Sequence, residues 1–323
     1  MRNRNKLLDS MKGIACLMIV FRHVELPGVC GEIMYALARF AVPLFMLTTG
    51  YFTYNVDNAV IKQRAVRLLR LFLISFTVYV VFRAGLAFAF GSEMTWFNKL
   101  SNWQTGIRAI LLFDFDVFFC WHLWYLPAIL FSYITFMIID KRGYIVRAYV
   151  MIPFLFLLRM GVVFLNDLDL LDWHYSCIYL ISAFPWFLLG NLISSVQNRI
   201  KVSDSVLLLT SAAGIMLEVL LVFLKLNSVF SEAVAIILTT ALFVIAVRHP
   251  GFSLGRVIER IGHSYSVFVY IFHVLIAGII TVAAVKTNVA NEEWVWWSRP
   301  FITIMICLLI GRLTKRNSKR AVS

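Results

Sequence analysis

Long apolar runs constrain this chain more than any other feature. Stretches of roughly 17 to 24 residues recur along it, the length at which a helix crosses a ~30 Å hydrocarbon core. They fall at approximately 13–26, 32–54, 66–90, 122–140, 147–165, 177–197, 206–224, 231–247, 264–285 and 297–313. Backbone N–H and C=O groups find no partners in lipid, so such segments must satisfy them internally as helices. An outer-membrane barrel would need alternating segments of about 10 residues, and the sequence has none. Composition agrees: 61% of residues are hydrophobic and 15% charged, where soluble domains carry about 25% charged residues. The expectation is an all-α polytopic membrane protein, a bundle of about ten transmembrane helices with the lipid bilayer as its partner. Residues 1–323 read as a single domain, with no repeat, low-complexity tract or soluble insertion.

Lysine and arginine orient such a bundle, because cytoplasmic loops retain them. With the N-terminus inside, segments 1–12, 62–70, 141–147, 199–201, 248–260 and 312–320 are cytoplasmic and hold 21 of the 30 basic residues. The outer segments hold only Lys99, Arg108, Lys225, Lys286 and Arg299; Arg22, Arg39, Arg83 and Arg159 fall within spans. Both termini are therefore expected in the cytoplasm. The net charge of +13 is topogenic and calls for no nucleic acid. No small-residue cleavage site follows the first apolar stretch, which is expected to remain as a span rather than a signal peptide. The five cysteines show no metal spacing and no CxxC pair, and no metal is expected. Cys30, Cys120 and Cys177 fall near the outer face. They can be partners in a disulfide or small buried hydrophobes.

The first span is the least apolar and ends in Arg22, His23 and Glu25. A charge at the bilayer centre costs at least a few kcal/mol, so these groups require a partner, a wet cavity or a reaction. His23 lies about 16 Å along from Lys12, and His273 about 14 Å into the ninth span from the same side, so the two imidazoles sit at similar depth. Each can be a packed histidine bonded to a neighbouring helix. As a pair beside Arg22 and Glu25 they read better as a reactive centre, since imidazole exchanges protons near neutral pH.

Arg64, Arg67 and Arg70 recur every three residues where the third span begins and form one cationic face. That face suits cytoplasmic phosphates, and it equally suits anchoring to lipid headgroups. Thr48, Thr49 and Gly50 close the second span and permit close backbone approach or a break in the helix. His122, Trp124 and Tyr125 open the fourth span at the outer interface, where an aromatic belt and a platform for sugar rings look alike. Glu218 and Arg159, both within spans, are expected to form a buried ion pair.

Taken in order, these stretches resemble the acyltransferase-3 family of multi-span membrane acyltransferases. "LLDSMKGIACLMIVFRHV" resembles the family's first helix, with Asp9 and a basic residue eleven positions before a histidine, Lys12 to His23. "VPLFMLTTGYF" resembles its Ser-Gly-Phe/Tyr motif, with Thr49 in place of the usual Ser, and Arg67-Leu-Leu-Arg70 fits its Arg-x-x-Arg element. "HLWYL" and "IGHSYSVFVYIFHVLI" resemble its fourth-region and closing motifs. Lys12 stands where the family frequently has Arg, which keeps the charge and loses the planar fork. Some members carry a further hydrolase-like domain; this chain runs on about ten residues past its last span and is expected to act alone or with a borrowed partner.

The resemblance implies transfer of an acyl group, usually acetyl from cytoplasmic acetyl-CoA, to a hydroxyl of a cell-envelope glycan or lipid-linked sugar at a bacterial inner membrane. On that reading His23 is the base or acyl carrier, with Lys12 and Glu25 assisting. Arg64, Arg67, Arg70, Thr49 and Gly50 would hold the donor. His122, Trp124, Tyr125 and His273 would line the acceptor side. A proton-coupled transporter or glycan exporter is the alternative. Such proteins commonly show inverted repeats and helices broken in corresponding halves, and neither is visible here.

Overall fold

The computed structural model of the chain describes residues 4–226 and 228–320, with side chains as far as 315. Helix accounts for 83% of it, and the described residues contain no strand. Among the described residues, eight helices are long and apolar enough to cross a bilayer: Gly28–Tyr51, Asn58–Ala89, Trp121–Lys141, Tyr179–Arg199, Asp204–Leu224, Ser228–Arg248, Arg256–Lys286 and Glu293–Lys315. They match eight of the ten expected spans. The other two segments are also helical. Lys6–His23 carries four charged residues (Lys6, Asp9, Lys12 and Arg22), and Ile152–Asp167 is only 16 residues long. The described chain divides into two compact units.

The first unit comprises residues 1–45, 201–226 and 230–323. Its opening helix, Lys6–His23, starts under two ties. Asn5 caps it by accepting from the backbone N–H of Leu8 (2.8 Å) and donates to the carbonyl of Ala246 (2.7 Å). Lys6 N–H donates to Pro250. Lipid is as apolar as leucine, so packing and close backbone approach, rather than hydrophobic burial, hold membrane helices together. Two glycines provide that approach. A Cβ on Gly13 would fall on the Ile258 carbonyl, and one on Gly262 would fall on the Asp9 carbonyl. The opening helix therefore lies backbone to backbone against Arg256–Arg260 and the π-helical turn Ile261–Tyr265. Above this contact Cys16, Val20, Val24, Ile261, Val269, Ile276 and Cys307 form the core.

The second unit comprises residues 46–200 and 227–229. Its long helix, Asn58–Ala89, packs against Tyr125–Lys141. Gly50 and Gly190 form a reciprocal contact, each placed where a Cβ would strike the backbone opposite, at Phe187 and Leu47 respectively. Asn191 reinforces it by donating to the Gly50 carbonyl (3.2 Å). The aromatic stretch 91–121 folds into two short helices, Glu93–Ser101 and Trp103–Leu111, pinned by the Trp96 indole donating to Val117 (3.0 Å). All five cysteines are free thiols, so Cys30, Cys120 and Cys177 form no disulfide.

Candidate active site

The opening helix ends at His23, and the register set by Gly13 and Gly262 brings its last turn against the helix Ser266–Lys286. The rings of His23 and His273 lie side by side, 5.2 Å between centroids and tilted by 40°. His273 is fully buried and falls near the middle of the continuous helical stretch Arg256–Lys286. Its Nδ1 lies 2.9 Å from the Val269 carbonyl and 2.8 Å from that of Tyr270. Carbonyl oxygens only accept, so Nδ1 carries a proton and is committed to the backbone. His23 is half-buried. The pair expected from depth alone is therefore formed.

The two residues thought to assist His23 are placed apart from its ring. Lys12 lies about 16 Å back along the helix and is bound to Asp9 (Nζ to Oδ1, 2.7 Å). That pair belongs to a cluster at the end assigned to the cytoplasm. Arg4 joins Asp9 (2.9 Å) and Glu259 (2.8 Å), and His263 approaches Asp9 (3.3 Å). Glu25 lies past the helix end, exposed, at the mouth of a cavity of about 500 Å³. Tyr35, Arg39, Glu32, Lys225 and Ser231 also line this cavity. Glu25 and Lys225, which both line this cavity, belong to segments expected outside from the charge bias. Arg22 stacks over the Tyr35 ring, 4.2 Å from its centroid, and Arg39 lies 6.0 Å from it. Arg39 also approaches Glu218 (3.9 Å). The expected partnership of Glu218 with Arg159 is thus corrected: Glu218 meets Arg39, and Arg159 donates to the Ser176 carbonyl (3.2 Å). Tyr35 and Arg39 were not singled out by sequence; an arginine within a span was the one available signal.

In the second unit the three arginines differ. Arg64 is half-buried and donates to the Phe52 carbonyl (2.8 Å), which fixes the turn after the second span. Arg67 and Arg70 are exposed and form no ion pair among the described residues. Thr49 hydrogen-bonds the phenol of Tyr125, while Gly50 serves the backbone contact with Phe187. His122 is 1% exposed, with Nε2 3.3 Å from the hydroxyl of Tyr79. It is an interior residue and not part of an exposed platform. Trp124 and Tyr125 are half-buried beside it.

Fold and site together define a multi-span helical membrane protein with an imidazole pair held inside it. The model of the acyltransferase domain family, Acyl_transf_3, matches residues 5–313, which run through both units. The chain belongs to the acyltransferase-3 family, and is a membrane acyltransferase in that general sense. No curated protein matches it, and no solved structure does.

Proposed function

We propose that this acyltransferase moves an acetyl group from cytoplasmic acetyl-CoA to a hydroxyl of a cell-envelope glycan or lipid-linked sugar, in a bacterial inner membrane. The observation that carries the reading is the His23–His273 pair, a half-buried ring at the end of one helix beside a buried one at the middle of another, in a chain of this family. His23 is the reactive imidazole. It either takes the acceptor's hydroxyl proton or carries the acyl group between donor and acceptor. His273, with Nδ1 committed to backbone, orients and shields it. The cavity lined by Glu25, Tyr35 and Arg39 starts two residues beyond His23 and offers carboxylate, phenol and guanidinium groups to a polyol. Arg67 and Arg70 suit CoA phosphates, being exposed, one helical turn apart and without a competing carboxylate. Arg64 supports them through its hold on Phe52, and Thr49 and Gly50 fix the neighbouring turn.

Incubating the purified protein in liposomes with labelled acetyl-CoA and an oligosaccharide acceptor tests this proposal. Label transfer with release of free CoA is expected. Sugar or proton uptake without CoA release would overturn it in favour of transport.

A further inference from the structure

Three side chains outside the imidazole pair converge in the outer loops of the second unit. His174 sits in the short 3-10 turn Trp173–Cys177 and is 4% exposed. Its Nε2 makes no hydrogen bond among the described residues, yet it faces two carboxylate oxygens: Oδ1 of Asp114 at 3.2 Å and Oδ2 of Asp116 at 3.4 Å. All three atoms lie within 4.8 Å of one another. We propose that His174 Nε2, Asp114 and Asp116 form a binding site for a divalent transition-metal ion of the zinc class, which clamps the 112–118 loop to the 172–177 turn.

Geometry and charge each support this assignment. A tetrahedral zinc ion at ~2.0–2.2 Å from its ligands holds those ligands about 3.4 Å apart, close to the two nitrogen–oxygen separations seen. The ring also has the backing that metal-bound histidines usually have. Nδ1 lies 2.6 Å from Oδ1 of Asp172, a backing carboxylate of the kind that orients a metal-bound imidazole, and 3.2 Å from Nη2 of Arg108. The same Asp172 oxygen accepts from the His174 backbone N–H (3.0 Å), which fixes the turn. Arg108 binds the oxygens that face away from the ring, Oδ2 of Asp114 and Oδ2 of Asp172, both at 2.7 Å. Three carboxylates against one guanidinium leave two negative charges around the imidazole ring, which a dication would balance. This combination of one buried nitrogen and two carboxylates suits zinc or manganese better than calcium or magnesium, which prefer all-oxygen shells.

The test uses the full chain in detergent, stripped with a chelator and titrated with Zn²⁺ by calorimetry while thermal unfolding is followed. One equivalent is expected to bind and raise the unfolding midpoint, whereas Mg²⁺ does neither. Asp116 is nearly half exposed in its side chain, so Asp116→Asn tests the ligand set without disturbing the packing and should weaken Zn²⁺ by more than about tenfold. Asp172→Asn, which removes the backing carboxylate, should weaken it by about 10- to 100-fold. His249→Gln, at a separate exposed histidine, should leave it unchanged. Wild-type binding no tighter than that of Asp116→Asn, or no bound zinc at all, would overturn the site and leave the cluster as an ion-paired imidazolium.

Discussion

The ring of His23 lies 5.2 Å from that of His273, while Nδ1 of His273 is committed to the Val269 and Tyr270 carbonyls. That asymmetry separates the two roles. His23→Ala should lower the rate of acyl transfer by at least about 10²-fold, the usual contribution of a general base, with the protein still folded and still binding CoA. His273→Ala should cost less in rate but more in stability, because it opens a cavity in a packed interior and frees two backbone acceptors. Rate assays beside thermal unfolding of both variants decide between them. A His23→Ala rate within about tenfold of wild type would remove that residue from the chemistry.

Arg67 and Arg70 are exposed, and Arg64 is spent on Phe52. The double variant Arg67→Gln/Arg70→Gln should raise the donor KM by tenfold or more, since each lost charge-assisted contact is worth roughly 1.5–3 kcal/mol, and should leave unfolding unchanged. Arg64→Gln should show the reverse pattern, with a lowered midpoint and a modest change in KM. Steady-state kinetics over a range of acetyl-CoA concentrations would reveal the split. Equal KM values in wild type and double variant would return Arg67 and Arg70 to headgroup anchoring.

Glycines offer a test of the packing that sets the imidazole pair. Gly262 faces the Asp9 carbonyl with no room for a Cβ, whereas Gly161, inside Ile152–Asp167, has nothing within 4 Å of a Cβ position. Gly262→Ala should therefore destabilise by about 1–3 kcal/mol or more, as overpacking does. It should also reduce activity, because it pushes the opening helix away from Ser266–Lys286. Gly161→Ala should be neutral or stabilising by up to about 1 kcal/mol through helix propensity. Similar thermal midpoints for the two variants would show that the contact does not hold the unit together.

How much of this could be read from sequence varied with the kind of signal. Apolar run length placed the helices, because the hydrocarbon thickness leaves little choice of span. It lost precision at Lys6–His23 and Ile152–Asp167, where charge or shortness blurs the signal. Helical rise placed His23 and His273 at one depth, and their adjacency followed. Partner choice was not legible. Glu218 finds Arg39 and His122 finds Tyr79, pairings set by helix rotation, which hydropathy does not encode. The ionic cluster at Lys12 required knowing that Arg256–Tyr265 returns to the start of the chain. Asp114, Asp116 and His174 were invisible as a group because about sixty residues separate their two loops.

That ionic cluster gives the final prediction. Asp9 precedes the apolar stretch 13–26, with its side chain 8% exposed. Burial alone would raise its pKa, but hydrogen bonds from Lys12 and Arg4 outweigh burial, helped by the nearby His263, and hold the carboxyl below its ordinary value. A carboxylate depressed on folding stabilises the native state above its unfolded pKa, and that contribution is lost as pH falls through the lower folded value. Wild type should therefore unfold at a higher temperature than Asp9→Asn at pH 7. The gap should persist down to about pH 4 and close below it. Lys12→Met should follow the same profile if the lysine's role is to hold Asp9 and thereby the start of the opening helix. It should lower the rate of acyl transfer no more than the loss of folded protein accounts for. A Lys12→Met variant as stable as wild type but much slower in acyl transfer would assign Lys12 to the reaction instead.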